Sequence, residues 1–194
     1  MGLLGLVILL ELSVLSTSGA AASPGTSDPK ATVETLLSLV ASLSKGNESD
    51  PNPTLTRKIS ETIDIVGVCR TCLQNKWEEI GEAEQKNFVA LFRQVLEEVA
   101  YPKSAKFFKD AQIEIGQVKQ NGADQAEVFT TVTDPDEGMV DVDYSLKLQG
   151  PSWLMEDVIL DGVSLVTDLR SQMQKILREH SYEELKRRLR EKLV

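Results

Sequence analysis

Four groups of residues in this 194-residue chain are of types that could do chemistry: the pair Cys69 and Cys72, the single histidine His180, the acidic run Asp134-Pro135-Asp136-Glu137-Gly138, and Asp157. A C-x-x-C pair can close a disulfide or work as a redox couple. A thioredoxin-like site, however, needs its first cysteine at a helix start after a strand, where the thiol pKa falls. Cys69 and Cys72 lie inside a stretch that reads as helix from Leu55 to Lys76, on one side of it, which predicts two buried thiols or a structural bridge. His180 has no G-x-S-x-G nucleophile motif and no evident orienting partner, and is read as a solvated residue in a last helical turn. The three acids between Asp134 and Glu137 sit where Asp, Pro and Gly shape a hairpin turn; a calcium loop needs more ligands at fixed spacing. Asp157 is the odd acid in an apolar strand. Either it is a carboxylate with a raised pKa suited to catalysis, or, as expected here, it is a structural acceptor for a backbone amide or for Arg170. No catalytic residue, metal site or cofactor is expected.

The elements that must position these groups are legible from periodicity. Trp153, Met155 and Ile159 share one strand parity and Leu154, Val158 and Leu160 the other, which predicts a central strand covered on both faces. A tight turn at Asp161-Gly162 leads into a helix capped by Ser164, with Leu165, Leu169, Met173, Ile176 and Leu177 on one stripe. Upstream, Val140, Val142, Tyr144, Leu146 and Leu148 alternate strictly with polar residues, Ala126 to Val132 less cleanly, and Ile113, Ile115 and Gln117 precede them. Turn signals at Asn121-Gly122, Asp134 to Gly138 and Gly150-Pro151 separate about four strands into an antiparallel meander. Helical spacing marks Val33 to Leu43, the Leu55 to Lys76 stretch with Ile65, Cys69, Cys72 and Leu73, and Glu82 to Val99 with Phe88, Leu91, Phe92, Val95, Leu96 and Val99. Gly81 takes a cap position where Glu84 could complete the reciprocal bond, Pro102 ends that helix, and Ser104 to Lys109 could add a turn or two. Helices on either side of a meander make the fold class α+β.

Composition bounds the partners. At 41% hydrophobic and 26% charged the chain has ordinary globular composition and the size of one domain, residues 30–194. With 30 acids against 21 bases it carries a net charge of −9, which argues against nucleic acid as a partner and against broad adhesion to anionic lipid surfaces. Residues 1–22 read as a secretory signal with an A-x-A site at Ala20-Ala21-Ala22, although no Lys or Arg precedes the apolar run; a retained anchor is the alternative. Residues 23–29 form a polar linker, and Asn47-Glu48-Ser49, a sequon match in a Pro-rich loop, implies only a loop. The C-terminal segment places Tyr182, Leu185, Leu189 and Leu193 on one face and bases on the other. A helix packed on its own domain is favoured over one lying on a membrane, because the stripe is narrow.

The residues Trp153, Asp157, Gly162-Val163-Ser164-Leu165-Val166 and Arg170-Ser171-Gln172, together with Tyr144-Ser145-Leu146, the Phe88/Leu91/Phe92 helix and Trp77, resemble the MlaC-type periplasmic phospholipid-binding family, also called the toluene-tolerance family. The resemblance runs from about Asp64 to Val194. It implies a periplasmic carrier, expected to be monomeric and without stable membrane insertion. Such a carrier holds phospholipid acyl tails in an apolar cavity between sheet and helices, and hands them between an outer-membrane lipoprotein complex and an inner-membrane ABC transporter complex. The expected lining is Phe88, Leu91, Phe92, Tyr144, Leu146, Met155, Val163, Val166 and Leu169, with Met173 where the family often has an aromatic. Two rivals are an envelope interaction module with a filled core and a thiol oxidoreductase using Cys69 and Cys72.

Overall fold

The computed structural model of the chain describes residues 28–46, 51–135 and 138–193. The expected leader, the Asn47-Glu48-Ser49 triplet and Asp136-Glu137 lie outside the described residues. Helix α1 (Pro29–Ser44) starts because the Asp28 carboxylate accepts the Lys30 amide at 3.1 Å and Pro29, with no amide to satisfy, sits in the first turn. Helix α2 (Pro53–Ser60) repeats the device with Asn52 and Pro53.

The helix expected over Leu55 to Lys76 is broken twice, after Ser60 and at Gln74. Between α2 and α3 (Ile65–Leu73) the chain turns extended, and Ile63 forms a parallel bridge to Met155: the Met155 amide donates to Thr62 O and the Asp64 amide to Met155 O, each at 2.9 Å. Asp64 then caps α3 by accepting the Gly67 amide at 2.9 Å, and Gln149 Nε2 donates to its other oxygen. A strand edge with unpaired backbone groups has overridden local helix propensity here. Helix α4 (Asn75–Val95) breaks at Gly81, whose φ of 71° suits only glycine, so helical winding restarts at Glu82 as expected. Glu84, however, serves the C-terminal helix and not the cap.

Pro102 does not end the chain's helical course. The turn Leu96–Ala100 widens to π-winding, with the Tyr101 amide donating to Leu96 O, and α5 (Tyr101–Phe107) carries Pro102 in its first turn. The wider turn accommodates a residue that has no amide and would clash with the carbonyl four residues back.

The sheet has five strands, one more than expected, in the order β1 (Gln112–Gln120), β2 (Gln125–Asp134), β3 (Gly138–Gln149), β4 (Ser152–Leu160) and β5 (Val163–Ser164), all antiparallel. Since β5 is two residues long, β4 is an edge for much of its length and not a central strand; the Ile63 bridge and β5 cover parts of that edge. Its apolar residues at both parities have a different cause. Ser145 pairs with Asp157 and Leu146 with Met155, which leaves Glu156 as an extra, bulged residue. Trp153 and Met155 therefore face the dry side before the bulge and Val158 and Leu160 after it, opposite Leu148, Leu146, Tyr144 and Val142. A similar irregularity in β1 brings Val118, instead of Gln117, opposite Val128.

Two apolar clusters result. The first joins α1, Ile59 of α2, and Tyr101 and Ala105 of α5 to the dry face of β2, β3 and β4. The second gathers α3, Trp77, Phe88 and Phe92 of α4, Met173 of α6 (Leu165–Glu179) and Leu185 of α7 (Tyr182–Arg190). Helix α7 packs on α4 with its polar side largely solvated, and Lys186, only 8% exposed, lies 2.6 Å from Glu84 and 2.8 Å from Glu183. Tyr182 Oη donates to the same Glu84 oxygen at 3.2 Å. The Lys186 hydrogen bond holds the Glu84 carboxyl below its ordinary value, so its contribution to stability is present above that value of 4.5 and lost as pH falls through the lower folded one. Urea midpoints measured against pH are expected to fall on acidification below about pH 4.5, and Glu84→Gln to flatten part of that fall.

Candidate functional site

Where the two clusters meet they leave a cavity of about 620 Å³ that opens to solvent. Leu36, Leu37 and Val40 of α1, with Ile59 of α2, form one wall. Val142 and Tyr144 of β3 and Met155, Val158 and Leu160 of β4 form the floor. The opposite wall comes from the second cluster, Ile65 and Val68 of α3, Phe92 of α4, and Val166 and Leu169 of α6, joined by the exposed Leu165. Helix α5 adds Tyr101 and Phe107, and its C-cap residue Phe108 follows. Leu165, Asp168, Leu169 and Gln172 share one α6 stripe by helical spacing. Lys103, Asp168 and Gln172 line the cavity yet are exposed, which makes them its polar rim.

Asp157 anchors the wall formed by α6. One carboxylate oxygen accepts the Val158 amide at 2.8 Å and the Val166 amide at 3.0 Å, and the other accepts the Ser164 hydroxyl. Ser164 Oγ in turn accepts the Thr167 amide at 3.0 Å, the N-cap expected from sequence. The partner of Asp157 is thus a backbone amide and not Arg170. Both oxygens are committed to holding a helix end against a strand.

Of the nine residues expected to line a cavity, Phe92, Tyr144, Met155, Val166 and Leu169 do so. Phe88 does not: it is fully buried one helical turn away, its ring parallel to that of Phe92 at 6.4 Å and tilted against Tyr182. Leu91, half-buried on α4, and Leu146, fully buried under the first cluster, are not among the lining residues either. Val163 is 60% exposed, because strand alternation in β5 turns it away from the side Ser164 faces. The walls from α1 and α5 went unassigned, although their apolar stripes were legible, since a stripe facing a cavity has the same composition as one facing a neighbour. Val158 and Leu160 were hidden by the bulge.

The remaining chemical candidates are dispersed. His180 is exposed at the end of α6, where its amide donates to Ile176 O. Asp134 pairs with Gly138 across the β2–β3 hairpin. Among the described residues no group of three or more His, Cys, Asp and Glu side chains could hold a metal ion. Cys69 and Cys72 are free thiols, 1% and 0% exposed. Burial pushes the Cys72 thiol up to about 12 and that of Cys69 further, with Cys72 and Asp64 adding to the rise. Thiolate is the reactive form, so the folded protein is expected to resist iodoacetamide at neutral pH and to take two labels per chain once unfolded, as read by intact mass.

Residues 30–191 match the family model described as MlaC protein. Among solved structures, one of a phospholipid-binding protein from Ralstonia solanacearum in complex with a phospholipid aligns with a TM-score of 0.70 at 18% identity, covering 86% of this chain and 97% of that one. That likeness establishes a shared α+β fold. A comparison with curated proteins gives no match.

Proposed function

We propose, because this chain belongs to the MlaC family, that it binds a phospholipid by its acyl tails and carries it across the periplasm between an outer-membrane lipoprotein complex and an inner-membrane ABC transporter complex. The observation that carries this reading is the open cavity of about 620 Å³, walled by aliphatic and aromatic side chains and rimmed by Lys103, Asp168 and Gln172. Its size falls in the range of about 300–1,000 Å³ typical of small-molecule sites. The phospholipid held by the Ralstonia solanacearum protein of the same fold supports the choice of ligand. Tails occupy the apolar interior and the headgroup stays at the rim.

Burial of about thirty methylenes at roughly 0.8 kcal/mol each is worth on the order of 20 kcal/mol relative to water, so escape into water is negligible. Transfer from bilayer to cavity is apolar to apolar and close to neutral, so loading and release require docked partners and no catalytic residue. Among the described residues no helix is long and apolar enough to cross a membrane. Residues 30–194 act as one lipid-binding domain behind a cleaved leader, residues 1–22. An interaction module with a filled core has no use for such a space, and an oxidoreductase does not bury both thiols.

Organic extraction of purified protein followed by lipid mass spectrometry tests the reading. Near-stoichiometric phospholipid is expected; protein free of lipid would overturn it.

A further inference from the structure

Two tyrosines line the cavity, and the hydroxyl of only one has a protein partner among the described residues. Tyr101 Oη shares a hydrogen bond with Ser60 Oγ at 3.2 Å, and Ser60 donates to Glu97 at 2.7 Å. Tyr144 is 3% exposed and lines the floor between Val142 and the strand pairs Val128 and Val158, yet its hydroxyl makes no hydrogen bond to any described residue. No described side-chain polar atom is both sealed from solvent and without a partner, so this hydroxyl stays open to whatever occupies the cavity. Burial, then the charge of Asp143, pushes the phenol well above its ordinary value, so it stays protonated and remains a donor.

Water can accept from it while the cavity stands open; once acyl tails displace that water the acceptor must come from the lipid, and its chemistry is limited by the walls. The lining residues of the floor around it, Val142, Met155 and Val158, are apolar. The charged residues of the lining are three carboxylates, Glu156, Asp157 and Asp168, against the single ammonium of Lys103. A phosphate drawn down beside Tyr144 would lose its water among apolar groups without a cation to replace it. An acyl ester carbonyl is neutral, accepts one hydrogen bond and lies next to the tails.

Building on the carrier reading above, we propose that Tyr144 donates a hydrogen bond to an ester carbonyl of the bound lipid and thereby selects ester-linked over ether-linked lipids. A dialkyl lipid carries no carbonyl, and its ether oxygen lies within the chain, flanked by methylenes, where the phenol reaches it less well.

The test offers purified, delipidated protein vesicles containing equal amounts of diacyl and dialkyl phosphatidylethanolamine of matched chain length, and counts each bound lipid by mass spectrometry. Wild type is expected to favour the diester by about two- to tenfold, the range one neutral hydrogen bond gives. Tyr144→Phe, which keeps the ring, is expected to abolish that preference by lowering diester loading while diether loading holds, the latter also reporting an intact cavity. Equal loading of both lipids by wild type, or an equal fall of both in Tyr144→Phe, overturns the assignment. If wild type loads neither lipid, it is the carrier reading that fails, and this one with it.

Discussion

Leu169→Trp is expected to leave a folded protein that copurifies with little phospholipid. Leu169 stands on the α6 stripe that faces the cavity, between the rim residues Asp168 and Gln172 and the wall residue Val166. In a filled core the larger ring would be overpacked and would cost about 1–3 kcal/mol of stability. Here it grows into about 620 Å³ of open space, so the melting temperature should hardly change. The loss falls on the ligand: excluding about two methylenes of tail, at roughly 0.8 kcal/mol each, lowers affinity by more than about tenfold. Lipid per chain, measured by extraction and mass spectrometry, checks this against a thermal melt of the same sample. Unchanged lipid content in a folded variant would place the tails somewhere other than this cavity.

Phe88→Ala should do the opposite. Phe88 is fully buried in the second cluster against Phe92 and Tyr182 and does not line the cavity, so truncation leaves a void among helices that hold one another in place. The cost is about 3–5 kcal/mol, which lowers the melting temperature by roughly 10 °C in a chain of this size. Phospholipid per folded chain should stay near the wild-type value. Loss of lipid at an unchanged melting temperature would mean that Phe88, and not its neighbour Phe92, reaches the ligand.

These two residues show how far periodicity reaches. Phe88 and Leu169 were both legible as members of apolar stripes, and both were expected on the lining. Helical spacing identifies the stripe but not what lies opposite each of its turns. On α4 the stripe passes from packed cluster at Phe88 to open space at Phe92 within one turn. On β4 an alternating pattern was broken by one bulged residue, so two parities that read as two faces are one face in two registers. The break between α2 and α3 was missed for a related reason: Thr62 to Asp64 satisfy their backbone on a strand far away in sequence.

By itself the sequence determined the class of the molecule: an antiparallel meander beside helices, the Ser164 cap, the Gly81 break, two thiols on one helix side, and the residues that mark the family. Those properties depend on neighbours three or four positions away, where spacing and side-chain type act directly on the backbone. Only the tertiary structure decided that the two apolar clusters leave a cavity where they meet, that Val158 and Leu160 line it, and that Tyr144 lies on its floor with a hydroxyl bonded to no other described residue. A gap is a distance between surfaces brought together from remote parts of the chain, and the same leucines and valines line it or close it according to how far apart their helices and strands are held.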